Sequence, residues 1–248
     1  MDLLIDCGNS RLKWAYSAAG RLSAHGQTDH QGGLPQEARQ AWSDGPPPRR
    51  VIVANVAAEA LAGHLTRWAA QQWQCPIEFL QVPSQGGGIT LAYARPEQFG
   101  IDRWLALVAA RHCCSGAVAV IDAGTALTLD VLDAEGRHLG GIILPGLALM
   151  TQALAQKSSG IRRGLQDLSP SVTGVLGTDT ASGIKKGSLY AVTGAIEHVL
   201  ARLGTTTGAG PSVILCGGDA APVMAELNVE CQHIPDLVLR GMQISKGS

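Results

Sequence analysis

One arrangement recurs in this chain and limits what it can fold into. An apolar run, Leu3-Leu4-Ile5, ends in Asp6, passes through Cys7-Gly8-Asn9-Ser10 and continues into a run carrying Arg11, Leu12 and Lys13. The plan returns as Val118-Ala119-Val120-Ile121, then Asp122-Ala123-Gly124-Thr125, then Ala126-Leu127-Thr128-Leu129. The two aspartates are 122 − 6 = 116 positions apart, close to half of the 248 residues. Each stretch reads as a β-hairpin with an acid and small polar residues gathered at its turn. One such stretch per half predicts a duplicated architecture with two loops facing one ligand.

The residue types at those turns suit a phosphate. A glycine lets backbone N–H groups approach closely, and successive N–H groups form concave nests for anions. Asn9, Ser10 and Thr125 add side-chain donors, and Lys13 adds a mobile positive charge. An aspartate beside a phosphate is repulsive unless a cation lies between them, so Asp6 and Asp122 imply a cation with oxygen ligands, Mg²⁺ first. Taken singly, either turn also suits an ordinary hairpin with turn aspartates. The pair, each following an apolar strand, points to phosphate binding. One lysine and no full glycine-rich P-loop predict weak nucleotide affinity.

Composition narrows the class. With 46% apolar and 16% charged residues, the chain has the makings of a packed globular protein. A net charge of −1 and no block of like charges give no drive towards nucleic acid or anionic membranes. Six cysteines, at 7, 75, 113, 114, 216 and 231, show no CxxC pair, which reads as free thiols in a reducing cytoplasm. Cys7, Cys113 and Cys216 are expected as small buried hydrophobes. Asp2 and Asp6 interrupt the first apolar run, against a signal peptide, and Pro145-Gly146 breaks the apolar stretch 142–150, too short to span a bilayer. A soluble, cytoplasmic protein is the expectation.

Along the chain, 20–26 reads as a third strand, completing a meander. Helices are expected over 35–42 and 57–73, with buried strands at 51–56 and 77–80. The first half therefore reads βββαβαβ. Residues 83–100, with Gly86-Gly87-Gly88 and Tyr93, read as a mobile binding loop. It leads to Gly100-Ile101-Asp102-Arg103 and a helix apolar on nearly every side, hence buried. Asp102 and Arg103 suit a substrate site at the mouth of that helix, or equally a helix cap and a surface ion pair. The second half repeats the plan, with strands at 117–122, 125–132 and 136–143 and a glycine-rich strand-to-helix turn at 140–146. A polar loop over 157–175, a helix over 181–203 capped by Thr178 or Asp179, a strand at 213–216 ending in Gly217-Gly218-Asp219, a short helix, a weak strand at 229–234 and a final helical turn complete it. The lobes are expected as 1–115 and 116–248.

Two βββαβαβα halves with two Asp-Gly phosphate loops and a late strand-Gly-Gly-Asp resemble the actin/hexokinase/Hsp70 superfamily, an α/β, actin-like (ribonuclease H-like) fold of two lobes around a nucleotide cleft. Within it the sequence resembles the type III pantothenate kinases over nearly its whole length. Asp6-Cys7-Gly8-Asn9-Ser10-x-x-Lys13 is similar to that family's first phosphate motif, and Asp122-Ala123-Gly124-Thr125-Ala126 to its second. Gly100-Ile101-Asp102-Arg103, the specific part, is similar to its pantothenate motif. Gly140-Gly141-x-Ile143-x-Pro145-Gly146, Thr180 and Gly217-Gly218-Asp219 also fall in the family's places. Asp179 is a departure, where many members have Asn or Ser.

The resemblance implies roles. Asp6, Cys7, Gly8, Asn9, Ser10, Arg11, Leu12, Lys13 and Thr125 hold the phosphates of ATP, and Asp6 helps place Mg²⁺. Asp122 is the monovalent-cation site, for K⁺ or NH₄⁺. Tyr93, Gly100, Ile101, Asp102, Arg103 and Thr180 line the pantothenate pocket, with Asp102 as proton acceptor, and a homodimer completes that pocket. The implied reaction is ATP-dependent phosphorylation of pantothenate to 4′-phosphopantothenate, the first step of coenzyme A biosynthesis. The competing reading is an actin-like ATP-binding accessory regulator of transcription with little turnover. A pure sensor needs the phosphate loops but no base, and here the base position is filled.

Overall fold

The computed structural model describes residues 1–157, 160, 161, 165, 174–207 and 210–247. Contacts divide the chain into two units: Met1–Ser115 with Glu135–His138 and Asp236–Ser248, and Gly116–Ala134 with Leu139–Pro235.

The first unit opens with the meander β1 (Asp2–Cys7), β2 (Arg11–Ala18) and β3 (Arg21–Asp29), followed by α1 (Gln36–Asp44), β4 (Arg50–Asn55), α2 (Glu59–Gln72) and β5 (Ile77–Phe79). The sheet order is β3-β2-β1-β4-β5, with β1 antiparallel to β2 and parallel to β4. Every residue of β1 is buried, as a central strand covered on both faces requires. Leu3 and Ile5 join Trp14, Trp42 and Leu65 in one core cluster. Trp42 packs edge-on to Trp14 at 5.5 Å and tilted to Trp68 at 5.3 Å. At the other end of β1, the fully buried Asp2 carboxylate accepts from Arg49 at 2.6 Å and Arg50 at 2.8 Å, which fastens β1 to the start of β4.

The segment 83–100, expected as a mobile loop without regular structure, holds a tight hairpin instead. β6 (Gln85–Gly86) pairs with β7 (Ile89–Thr90), and Gly87 and Gly88 between them have φ of 57° and 76°. Positive φ at both central residues is what a two-residue hairpin turn demands, and glycine meets it without strain. A Cβ on Gly87 would stand 3.0 Å from Val108, so the turn rests on the next helix. A 3₁₀ turn (Pro96–Gln98) then leads into α3 (Ile101–Cys113), buried along Ile101 and from Arg103 to Ala110, as its all-round apolar pattern predicts.

The second unit repeats the plan. β8 (Val118–Ala123), β9 (Ala126–Leu132) and β10 (His138–Pro145) are followed by α4 (Leu147–Lys157), α5 (Thr180–Thr207), β11 (Ser212–Cys216), α6 (Ala220–Glu226) and β12 (Gln232–His233). Its sheet runs β10-β9-β8-β11-β12, the first unit's order strand for strand. The polar segment expected as a loop over 157–175 lies largely outside the described residues.

Two further readings change. The expected final helical turn is a full helix, α7 (Leu237–Lys246), and it belongs with the first unit. The reason is its apolar face: Leu237, Val238, Leu239 and Met242 are buried, and side-chain-free Gly241 lies against the Leu105 carbonyl of α3. Cys113, expected as a buried hydrophobe, is exposed at the last turn of α3, whereas Cys7 and Cys216 are buried. Among the described residues, no helix is long and apolar enough to cross a membrane.

Candidate active site

The first turn is built by strand register. Asp6, the penultimate residue of β1, lies directly opposite Lys13 on β2 and is 8% exposed. Gly8 donates its N–H to the Arg11 carbonyl at 3.0 Å, which closes a turn with Asn9 and Ser10 exposed at its tip. A Cβ on Gly8 would come within 3.1 Å of that carbonyl. Arg11 pairs with Asp29 at 3.2 Å across β2 and β3, so its charge is already engaged by a carboxylate. The Cys7 and Leu12 side chains are fully buried in the core, so only their backbone can face a ligand. Burial first, and then the charge of Asp6, pushes the Cys7 thiol far above its ordinary value, so it is not a nucleophile.

The second turn is similar and one residue tighter. Asp122, one residue before the end of β8, lies opposite Thr128, and Gly124 donates to the Ala126 carbonyl at 3.2 Å. Two glycine-dependent approaches frame it. Gly146, at the start of α4, donates to the Thr125 carbonyl at 2.9 Å, and a Cβ there would overlap the Gly124 carbonyl. Gly217, at φ 96°, lies against Asp122 and Ala123, and Asp219 donates its N–H to the Ala123 carbonyl at 2.9 Å. The glycines read as motif residues are thus spacers that let three backbone segments meet around Asp122 and the exposed Thr125.

Gly100 precedes α3 in extended conformation and Asp102 is the helix's second residue. Asp102 is not the N-cap; its Oδ1 accepts the Arg103 N–H at 2.8 Å, where the helix dipole favours negative charge. Arg103 is no surface residue: at 9% exposure its guanidinium lies 4.3 Å from the Phe99 ring centre and 6.0 Å from that of Tyr93. Tyr93 meets Phe99 edge-on at 4.9 Å, and the buried His138 stacks on Tyr93 at 6.1 Å. A cation is thereby set on aromatic faces beside a carboxylate. Sequence reasoning missed Phe99 and His138 as members of this cluster. His138 arrives because Thr90 donates to the Gly136 carbonyl at 3.0 Å, a pairing with no local sequence signal.

Thr180 begins α5, exposed, in the second unit. Asp179 caps that helix as expected: its Oδ1 accepts the Ser182 N–H at 2.8 Å while Ser182 Oγ accepts the Asp179 N–H at 3.1 Å. These hydrogen bonds from Ser182 hold the Asp179 carboxyl below its usual value. In the same unit a groove of about 540 Å³ runs between α4, α5 and α6, lined by Leu147, Thr151, Leu189 and Pro222 with Lys185 and Lys186 at its side.

Comparison with known proteins decides the family. The family model of type III pantothenate kinases matches residues 2–202. The chain belongs to the type III pantothenate kinases. A type III pantothenate kinase of Nitrosococcus oceani is 40% identical over 248 residues, covering 98% of this chain and 92% of that protein. One from Chromobacterium violaceum is 38% identical over 243 residues, covering 98% of each. A structure solved as a Baf family transcriptional activator from Campylobacter jejuni superposes with a TM-score of 0.62 at 21% identity, covering 99% of this chain and 98% of that one. An activator of 2-hydroxyisocaproyl-CoA dehydratase from Clostridium difficile with bound ADPNP gives 0.52 at 12%, covering 98% and 92%. At such identities these two bear on the fold, which is the actin-like one, and nothing favours the regulator reading. The activity is that of a pantothenate kinase: ATP-dependent phosphorylation of pantothenate in coenzyme A biosynthesis.

Proposed function

We propose the following division of labour for the transfer of the γ-phosphoryl group of ATP to the pantothenate hydroxyl. The turn of residues 6–13 and Thr125 hold the phosphates through backbone N–H groups, Lys13 and hydroxyls. Asp102 accepts the hydroxyl proton. Arg103, Tyr93, Gly100, Ile101 and Thr180 bind pantothenate. The observation that carries this reading is Asp102 beside an arginine already fixed on two rings. Phosphoryl transfer passes through a loose transition state, so positioning and charge neutralisation do most of the work. An aspartate carboxylate is a weak base towards an alcohol. It suffices to orient the alcohol and take its proton late. Arg103 presents a planar fork suited to the pantothenate carboxylate or amide.

Asp6 suits Mg²⁺, a hard cation that keeps several waters and needs one or two carboxylates besides the phosphates. Bound there, Mg²⁺ would neutralise charge developing on the phosphates. Asp122, with backbone carbonyls of Ala123 and Gly124 close by, suits K⁺ or NH₄⁺. The groove beside Leu189 and Pro222 suits the nucleoside of ATP, because Leu147 and Pro222 each follow a segment that packs on the second turn. The protein acts as a cytoplasmic homodimer, without nucleic acid or membrane as a partner.

The deciding assay incubates purified protein with ATP, Mg²⁺, K⁺ and pantothenate and follows ADP. Pantothenate-dependent ADP release, with 4′-phosphopantothenate as product, is expected; release indifferent to pantothenate overturns the reading. Replacing K⁺ by Na⁺ tests the cation, and light scattering tests the dimer.

A further inference from the structure

The turn after β1 is held from a side that no motif residue occupies. His30 follows β3, and its backbone N–H donates to the Ser10 carbonyl at 3.0 Å. Its ring Nε2 lies 2.8 Å from the Gly8 carbonyl oxygen, and its Nδ1 lies 3.1 Å from the Gly32 nitrogen. A backbone N–H can only donate, so Nδ1 accepts; a carbonyl can only accept, so Nε2 carries the proton. The ring is therefore neutral, in one defined tautomer. Gly32, at φ 90°, lets the chain fold back so that its N–H reaches the ring two residues before it.

We propose that His30 is a positioning residue for the phosphate turn, aiming the N–H groups of Asn9 and Arg11 at the nucleotide. This rests on reading residues 6–13 as the ATP phosphate loop. In a planar trans peptide, C=O and N–H point in opposite directions. Holding the Gly8 and Ser10 carbonyls towards His30 turns the Asn9 and Arg11 N–H groups the other way. The Gly8 N–H is already committed to Arg11, so these donors matter to an anion in the turn. The ring bond fixes the first of them, and the backbone bond fixes the second. His30 itself does not touch the ligand.

The test compares His30→Ala and His30→Gln in the full-length protein. The glutamine amide nitrogen falls near the place of Nε2 and can donate to the Gly8 carbonyl. Kinetics with ATP and pantothenate varied separately are joined by calorimetric binding of Mg·ADP and by melting without ligand. His30→Ala is expected to weaken Mg·ADP binding and raise the ATP KM ~10-fold, the scale of one lost hydrogen bond. The pantothenate KM and the ligand-free Tm stay at wild-type values, and His30→Gln recovers most of the loss. Unchanged Mg·ADP affinity in His30→Ala overturns the proposal. So does a loss that glutamine does not recover, or one that appears only together with a lower ligand-free Tm. ADP release indifferent to pantothenate in the wild type overturns the kinase reading instead, while the Mg·ADP comparison still decides His30.

Discussion

Arg103 lies with its guanidinium 4.3 Å from the centre of the Phe99 ring, four residues before it in the chain and across the start of α3. The ring holds the planar cation in one orientation before any substrate arrives. Phe99→Leu keeps an apolar side chain and removes the π-face. The pantothenate KM is expected to rise several-fold, consistent with about 0.5–2 kcal/mol for a cation–π contact. The ATP KM should not move. Steady-state kinetics with each substrate varied check it, and an unaltered pantothenate KM counts against the role of the ring.

Asp102→Asn keeps the size of the side chain and removes its basicity. Turnover is expected to fall ~10²-fold or more, the usual contribution of a positioned proton acceptor, while Mg·ADP affinity is retained. Turnover at the wild-type level would remove Asp102 from the proposed role.

Gly241→Ala places a methyl on the Leu105 carbonyl, where α7 rests on α3. Destabilisation of about 1–3 kcal/mol is expected for such overpacking. Gly194, exposed in the middle of α5 with open space around it, is the control. Gly194→Ala should stabilise by up to about 1 kcal/mol through helix propensity. Urea unfolding of the two variants checks both signs.

Asp2 sets an acid-side limit on stability. Burial pushes its carboxyl up, but hydrogen bonds and charge from Arg49 and Arg50 together outweigh burial and hold it below the usual value. A carboxyl with a depressed folded value stabilises fully above its unfolded value of about 3.9. That contribution is lost as pH falls through the lower folded value. Asp2→Asn should therefore be less stable at neutral pH, with the gap to wild type closing below about pH 4. Thermal melts across pH 2–7, about the span of that titration, check this; a gap independent of pH would assign the effect to packing.

Much of this protein is legible in its residue order, because the signals are local. The Asp-x-Gly turns, the strand periods and the all-apolar α3 reveal the duplicated sheets, and Asp179 announces its own helix. Hydrophobic period and turn chemistry act over a few residues, so a linear reading captures them. Other features depend on partners far along the chain. α7 joins the first unit because Gly241 admits the Leu105 carbonyl. His138 reaches Tyr93 through the Thr90–Gly136 hydrogen bond, and His30 reaches Gly8 across 22 positions. Gly87 and Gly88 adopt a hairpin where glycine's conformational freedom suggested only a loop. Residue order alone sets which chemistry the chain can offer. Which side chains orient that chemistry was decided by long-range packing and backbone hydrogen bonds, whose partners leave no periodic trace in the sequence.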